Sequence, residues 1–536
     1  MKNKQGLIQK QNAHAKKPNV GQISMEWDHR NLFWLTLGIL MLGLILRLGL
    51  VHLAIQYGYV PDHFDNIGTG ATAHQRGLLN IYSVTPDQLA IISGNVYHND
   101  QFVPYSRRAT TLPNYPPLGV LLNWLQVEIL RWLDPTVSAN TFWSRCVMGS
   151  GSFLAEVLTA MGVFLIVRRF STLKTAFLAG TVCWLFPPIM MDSAFWQQVD
   201  SFLLAPTVFL IWCMLDRRWI WAGVCLGIAL LLKPQGILLG PIVLYGAIVL
   251  AEPDRSVTFF MILSRMVKAG LTAILIVTIV TLPWMLTDGF AWFERSYVYS
   301  IIHAYPRTTL MAFNVWYLDL LRLDHQPVFN AIDSQAALLG LGKDIWGRLF
   351  VLIATGIGAL LCWQTYKRWP IGLVVFSGLW LWNIFLFPTR VHERYVIYCM
   401  PLVLIWAACK RRFWPVVVGL AILGSAEMSW NVWLRLPAGA FSRERVTYYH
   451  SQMTQYYNQQ TASLPTDQRP AAPSRGEAER LAWEDYRTAR RSSEGKEWLA
   501  TGLSLLMYLY AWIALFAFKP YRENAGGRKA TQYQVV

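Results

Sequence analysis

The chain is dominated by long apolar runs without a consistent polar face, and polar segments separate these runs. Since about 20 apolar residues in a helix cross the hydrocarbon core of a bilayer, the pattern predicts an all-α polytopic membrane protein. About twelve transmembrane helices are expected. The predicted spans are 32–55, 141–167, 174–191, 200–216, 219–233, 235–251, 266–287, 346–366, 370–388, 395–409, 413–433 and 498–518.

One apolar segment, 118–133, departs from this pattern. It is interrupted by Asn123, Gln126, Glu128 and Arg131, which is typical of an amphipathic helix lying in the membrane interface. The first outer loop is therefore predicted to be large and to carry interfacial helices.

The distribution of basic residues predicts the orientation of the chain. Residues 1–31 are rich in lysine, and most of the basic pairs between spans fall on the same side if 118–133 does not cross the membrane. By the positive-inside rule, this side is the cytoplasm. The domains expected from this map are the cytoplasmic tail 1–31, a membrane core 32–433 with outer loops 57–140 and 288–345, an outer polar loop 434–497, and 498–536 with the last span and a cytoplasmic tail.

Composition supports the membrane class and excludes several others. Hydrophobic residues make up 54% of the chain and charged residues only 15%. The net charge of +16 lies in short loops between apolar runs, so it indicates topology and not a nucleic-acid partner. The seven cysteines show no metal-type spacing, which predicts neither a disulfide framework nor zinc. The first apolar run is too long for a cleaved signal peptide.

Polar residues near the spans converge on the predicted outer face. Carboxylates there can accept a proton from a hydroxyl, and lysine and arginine can hold a phosphate leaving group. Together they indicate transfer of a group from a lipid phosphate to a hydroxyl. The residues are Asp62, Asp65, Arg145, Asp192, Gln197, Gln198, Asp200, Lys233, Gln235, Arg390, His392, Glu393 and Arg394.

Motifs of other reaction classes are missing from the sequence. It contains no P-loop, no Gly-rich dinucleotide fingerprint and no G-x-S-x-G. His392-Glu393 is not followed by a second histidine at the spacing of a zinc protease, since Val396 stands there. The simplest interpretation of Asp200 by itself is a helix N-cap.

Five short segments resemble the GT-C superfamily of glycosyltransferases, which use lipid-linked sugars, and in particular bacterial proteins similar to GPI mannosyltransferase II. The segments span residues 60 to 400, and their order and spacing carry the resemblance. They are Phe64-Asp65 with Gly77 and Ile81-Tyr82, Asn114-Tyr115-Pro116-Pro117, Trp196-Gln197-Gln198-Val199-Asp200, Lys233-Pro234-Gln235 and Arg390-Val391-His392-Glu393-Arg394-Tyr395.

The resemblance implies an inverting transferase that moves a sugar, expected to be mannose, from a polyprenyl-phosphate donor to a hydroxyl. It implies Asp65 as general base, with Asp62 as the alternative. Lys233, Arg145 and Arg394 are the expected ligands of the donor phosphate. The residues expected to bind substrate or orient the site are Tyr115, Gln198, Asp200, Gln235, His392 and Glu393.

The expected partners are the polyprenyl-phosphate sugar, membrane lipid and a glycan, lipid or protein acceptor. The expected location is the bacterial plasma membrane, with the active site on the non-cytoplasmic side. No metal ligands are assigned, and participation of a divalent cation stays open. The alternative function is a transporter or flippase of lipid-linked sugar, although such proteins usually carry polar residues through the midplane. A polysaccharide polymerase or ligase is a third possibility.

Overall fold

The computed structural model describes residues 29–98, 101–109, 112–250, 257–303, 308–321, 334–335, 337–366, 369–429 and 494–516, with scattered residues between 432 and 484. The predicted N-terminal tail, most of the predicted outer loop 434–497 and the C-terminal tail lie outside the described residues. The chain divides into two compact units, Met1–Leu44 and Ile45–Val536. The described part of the first unit is helical, and every predicted site residue belongs to the second.

Within the described residues, six helices are long and apolar enough to cross a membrane. They are Arg30–Tyr57, Phe142–Phe170, Leu173–Trp196, Phe259–Asp288, Lys343–Tyr366 and Gly495–Phe516. Shorter apolar helices are Ser201–Leu215, Trp219–Leu232, Pro234–Val249 and Ile371–Leu386. The remaining α-helices are Val60–Arg76, Pro117–Leu133, Ala291–Phe293, Tyr317–Leu321, Met400–Cys409 and Trp414–Met428.

The predicted number of about twelve spans is not confirmed. Several predicted spans are divided where proline or a change of helix type interrupts the regular ladder. The segment predicted as 235–251 begins as a 3₁₀-helix, Pro234–Leu239, and continues as an α-helix, Gly240–Val249. The segment predicted as 395–409 likewise consists of a 3₁₀-helix, Glu393–Cys399, and an α-helix, Met400–Cys409.

The predicted first outer loop is folded. It begins with the helix Val60–Arg76, called the acidic helix below, which has Pro61 in its first turn. The segment 118–133, predicted as an interfacial helix, is helical from Pro117 to Leu133 and packs against the acidic helix. Gly70 permits this close packing, because a Cβ atom there would lie 2.5 Å from the carbonyl oxygen of Asn123.

Between these two helices lies an antiparallel β-hairpin, which the prediction of an all-α fold did not include. Its strands are Ile91–His98 and Gln101–Arg108, with Ile91 opposite Arg108. Ile92 of the hairpin is buried in the same apolar cluster as Phe64 and Ile67 of the acidic helix. The alternation of half-buried and exposed residues along the second strand is typical of a sheet with one covered face. The fold is thus mostly helical with a small β component.

A short parallel strand pair and a π-helix fix the backbone beside several predicted site residues. Thr309–Leu310 pairs in parallel with Val391–His392, which fixes the backbone at His392. The π-helix Met191–Trp196 ends at Gln197, whose φ of 68° is left-handed. Single-turn π-helices are frequent at functional sites, and this one ends between Trp196 and Gln198. A third two-stranded sheet joins Ala337–Leu338 to Leu341–Gly342.

Candidate active site

A cavity of about 1020 Å³ lies between the acidic helix and the segments that follow the apolar helices Trp219–Leu232 and Ile371–Leu386. Residues from widely separated parts of the sequence line it. Eight of the eleven predicted site residues are on its wall: Asp62, Asp65, Tyr115, Gln198, Lys233, Gln235, His392 and Arg394. The cavity is large enough for a sugar together with neighbouring groups.

The two carboxylates of the acidic helix have different partners. They are three residues apart and so lie on one helical face. Asp62 accepts a hydrogen bond from the indole N–H of Trp196 at 3.0 Å and another from the Gln198 amide. Its Oδ2 is also 3.6 Å from Nη1 of Arg394.

Asp65 faces a different cation. Its Oδ1 accepts a hydrogen bond from Nη2 of Arg107, at 3.2 Å, on the second strand of the β-hairpin. The same guanidinium nitrogen donates to the carbonyl of Pro61 at 2.9 Å. The two acidic side chains of one helix are therefore held by different segments, Asp62 near Arg394 and Asp65 at Arg107.

Lys233 and Arg394, called the cation pair below, share one buried carboxylate. Nζ of Lys233 lies 2.6 Å from Oδ1 of Asp200, and Nε of Arg394 lies 3.1 Å from Oδ2. The Tyr398 hydroxyl also donates to Asp200, which is fully buried. The Asp200 side chain makes no capping hydrogen bond to the helix Ser201–Leu215, so its contacts are those of an orienting group and not of an N-cap.

Burial and neighbouring charges shift the pKa values of Arg394 and of the two residues before it. Burial raises the pKa of Glu393 to about 7, although Arg394, whose Nη1 is 2.9 Å from Oε1 of Glu393, opposes this shift. Burial acts to lower the pKa of Arg394, but neighbouring carboxylates such as Glu393 and Asp62 move it above its ordinary value. Burial lowers the pKa of His392 well below its usual range, and Arg394 adds to this, so the imidazole is neutral at pH 7.

Tyr115 and Gln235 complete the polar wall. The Tyr115 ring centre lies 5.9 Å from Nζ of Lys233, and burial raises the pKa of its hydroxyl well above the usual value. The Gln235 amide donates to the hydroxyl of Tyr395 at 2.5 Å. Both side chains can therefore contribute an aromatic surface or hydrogen bonds to a polar ligand.

Three predicted site residues are not among the described residues that line the cavity. Asp200 and Glu393 lie directly behind the cation pair, as groups that orient other side chains would. Arg145 is fully buried elsewhere, on the helix Phe142–Phe170, and its Nε donates to Oδ1 of Asn140 at 2.7 Å. Its predicted role in binding phosphate gains no support from this position and stays a prediction.

Two residues near the site were missed from the sequence. Tyr398, which donates to Asp200, follows Arg394 by four residues, so helical spacing could have indicated it. Arg107 belongs to the pair Arg107-Arg108 in a predicted outer loop, where the positive-inside rule disfavours basic residues. A basic pair on the side where such residues are rare could therefore have indicated that Arg107 has a specific acidic partner.

Metal binding is not indicated among the described residues. None of them form a group of three or more His, Cys, Asp or Glu side chains that could hold an ion.

The described residues combine six helices that are long and apolar enough to cross a membrane with a polar cavity lined by carboxylates and cations. Residues 139–284, a little over a quarter of the chain, match the sequence model of the family described as dolichyl-phosphate-mannose-protein mannosyltransferase. The matched region includes Gln198, Asp200, Lys233 and Gln235. This match confirms the GT-C resemblance, whereas a bacterial source and similarity to GPI mannosyltransferase II are not confirmed. None of the curated protein sequences matches significantly.

Solved structures of an archaeal oligosaccharyltransferase show weak similarity. The apo form of the Archaeoglobus fulgidus oligosaccharyltransferase is 12% identical, with a TM-score of 0.37, over 87% of this chain and 56% of that chain. The enzyme AglB from Archaeoglobus fulgidus, in complex with an inhibitory peptide and a dolichol-phosphate, is 12% identical, with a TM-score of 0.35, over 89% of this chain and 56% of that chain. This chain thus spans just over half the length of these structures, and at such TM-scores the similarity carries no conclusion about function.

Proposed function

We propose that the protein is an inverting glycosyltransferase that moves a sugar from a polyprenyl-phosphate donor to a hydroxyl acceptor at the outer face of the membrane. The observation that carries the proposal is the single cavity in which the carboxylates Asp62 and Asp65 and the cation pair occur together. Such a transfer needs a base for the hydroxyl and cations for the departing phosphate.

The cation pair supports a phosphate leaving group. Lys233 and Arg394 line the cavity, and they share the single carboxylate of Asp200 from behind. Lysine has three donors and arginine five, so both retain capacity for an anion in the cavity. Charge-assisted hydrogen bonds from them would stabilise the phosphate as its bond to the sugar breaks.

An apolar part of the cavity wall supports a lipid-linked donor. The wall includes the apolar residues Ile237, Leu238, Val351, Leu352 and Ile384. Ile237 and Leu352 are also exposed at the protein surface, by 53% and 66% of their areas. Apolar side chains that run from a polar cavity to the surface of a membrane protein offer a contact for a polyprenyl chain.

The different partners of the two carboxylates support Asp65 as the base. In a displacement with inversion, nucleophile and leaving group lie on opposite sides of the reacting carbon. Asp62 approaches Arg394 to 3.6 Å and so belongs to the phosphate side, whereas Asp65 is held by Arg107 of the β-hairpin. We therefore assign proton abstraction to Asp65 and orientation of the Gln198 and Arg394 side chains to Asp62.

Mannose is the proposed sugar, and its support is the name of the matched family. The outer location is supported by the distribution of basic residues in the sequence, and a bacterial plasma membrane is proposed on the resemblance alone. The acceptor can be a glycan, a lipid or a protein.

The test is product formation in proteoliposomes. Purified protein is supplied with polyprenyl-phosphate mannose, and with the glucose and galactose analogues, together with candidate hydroxyl acceptors. A new glycosidic bond of inverted configuration, absent with the Asp65→Asn variant, is expected. Movement of the lipid-linked sugar across the bilayer without any new bond would favour the flippase instead. Folded protein that transfers no sugar from any of these donors would refute the proposed donor class.

A further inference from the structure

We infer that Arg107 is a positioning residue for the base, and that the β-hairpin exists in part to deliver its guanidinium to the acidic helix. The inference rests on the proposed function, because it takes Asp65 as the group that accepts the proton. It adds a residue from a segment in which no site residue was predicted.

The contacts of Arg107 hold two successive turns of the acidic helix. Its Nη2 donates to the carbonyl of Pro61 at 2.9 Å and to Oδ1 of Asp65 at 3.2 Å. The guanidinium carbon lies 5.8 Å from the ring centre of Phe64. One guanidinium group thus fixes both the start of the helix and the direction of the carboxylate.

The ion pair lies mostly out of bulk water. The Arg107 side chain is 11% exposed and that of Asp65 is 16% exposed. Asp65 is on the cavity wall, whereas Arg107 is not among the described lining residues, so the guanidinium contacts the carboxylate from outside the cavity. Partial burial makes such a charge-assisted contact stronger than a surface ion pair, so it can hold the carboxylate in one direction.

The β-hairpin gives Arg107 little freedom. Arg107 is paired in register with Ile92, which is buried against the acidic helix. Two residues further along, Ala109 packs on Gly68 so closely that a Cβ atom on Gly68 would lie 2.5 Å from the Ala109 methyl group. Packing of its cross-strand partner and of the residue two positions further along therefore holds the backbone at Arg107 in place independently of the ion pair.

The adjacent Arg108 provides a matched control. It lies on the opposite face of the same strand and donates to the backbone carbonyls of Asp87 and Leu89. Its hydrogen bonds fasten the β-hairpin without contacting a proposed site residue. Arg108→Leu therefore tests for general damage to the hairpin.

The experiment measures kcat and the KM of both substrates for Arg107→Leu, Arg107→Lys, Arg108→Leu, Asp65→Asn and the double variant Asp65→Asn/Arg107→Leu. We expect Arg107→Leu to lower kcat about ten- to hundredfold, the range for loss of a hydrogen bond to a charged group, with the donor KM changed less than twofold. Arg107→Lys should recover part of the loss. Arg108→Leu should stay within twofold of the wild type.

The double variant gives the decisive comparison. If Arg107 acts through Asp65, removing it from the Asp65→Asn protein costs no further activity, because coupled residues are not additive. If the loss of kcat in the double variant equals the product of the losses in the two single variants, the inference is overturned. An Arg107→Leu protein with unchanged kcat would also overturn it. An active Asp65→Asn protein would overturn it while leaving the transferase function intact, whereas a wild type inactive with every donor would refute the proposed function. Arg107→Gln, which keeps a hydrogen-bond donor, replaces the leucine variant if the latter does not fold.

Discussion

Substitution of Lys233 tests the donor-phosphate site most directly. Lys233 lines the cavity and is 3% exposed, and its Nζ lies 2.6 Å from Oδ1 of Asp200. In Lys233→Met the chain length is nearly kept, but the charge and all three N–H donors are lost. If the ammonium group binds the phosphate, one charge-assisted contact worth about 1.5–3 kcal/mol disappears, which corresponds to a ten- to hundredfold loss of donor-side kcat/KM.

The same change also affects folding, and the two effects must be separated. Asp200 loses a partner in a fully buried position but keeps Arg394 at 3.1 Å and the Tyr398 hydroxyl. Complete loss of a buried ion-pair partner costs about 3–5 kcal/mol, so we expect a stability loss of about 3 kcal/mol or less. The double variant Lys233→Met/Asp200→Asn removes both charges together. It should regain much of the thermal stability but none of the donor-side efficiency.

The assay is a donor titration at saturating acceptor, followed by an acceptor titration at saturating donor, with thermal unfolding measured in the same detergent. The wild type, the single variant and the double variant are compared. An unchanged donor titration in Lys233→Met would refute the assignment of Lys233 to the phosphate. Equal losses for both substrates, restored in the double variant, would show that Lys233 serves only to neutralise Asp200.

Three further predictions concern the base, the pH response and the orientation. Asp65→Asn should lower kcat about 10²- to 10⁴-fold in a protein of normal stability, measured beside Asp62→Asn, and the reverse ranking would move the base to Asp62. Because the pKa of Glu393 is raised to about 7, its carboxyl is neutral below and charged above that pH beside Arg394. The donor KM should therefore rise about two- to tenfold between pH 6 and 8, and Glu393→Gln should abolish the rise. In a background without native cysteines, Gln75→Cys should react with an impermeant thiol reagent from outside and Ser171→Cys should not; the opposite labelling would invert the topology.

The positions of most helices were predictable because apolar composition is a local signal. The span predicted at 141–167 is the helix Phe142–Phe170, and the one predicted at 346–366 is Lys343–Tyr366. The helix predicted at 118–133 begins at Pro117 and ends at Leu133, which confirms its bounds, whereas its interfacial location stays a prediction. Each of these segments reveals its length and solvent preference without reference to any other part of the chain.

The β-hairpin was not predictable from the same signal. Its strands contain Ser93, Gly94 and Asn95, so polarity alone gave the appearance of a loop. The sheet is stabilised by burial of Ile92 with Phe64 and Ile67, residues that lie about 25 positions earlier in the chain. Strand formation of this kind depends on tertiary packing more than on propensity, and a single sequence contains little information about it.

The same distinction between local and long-range contacts explains what could be predicted of the site. Lys233 and Asp200 are 33 residues apart, and Arg394 is nearly 200 residues from Asp200. Motif resemblance indicated that these residues belong to one site, but not that one carboxylate orients both cations. That relation follows from the cost of burial: a fully buried Asp200 needs compensating charge, and the two cations that provide it are thereby fixed relative to each other. The carboxylate that could be mistaken for a helix cap is therefore the group on which the geometry of the proposed phosphate site depends.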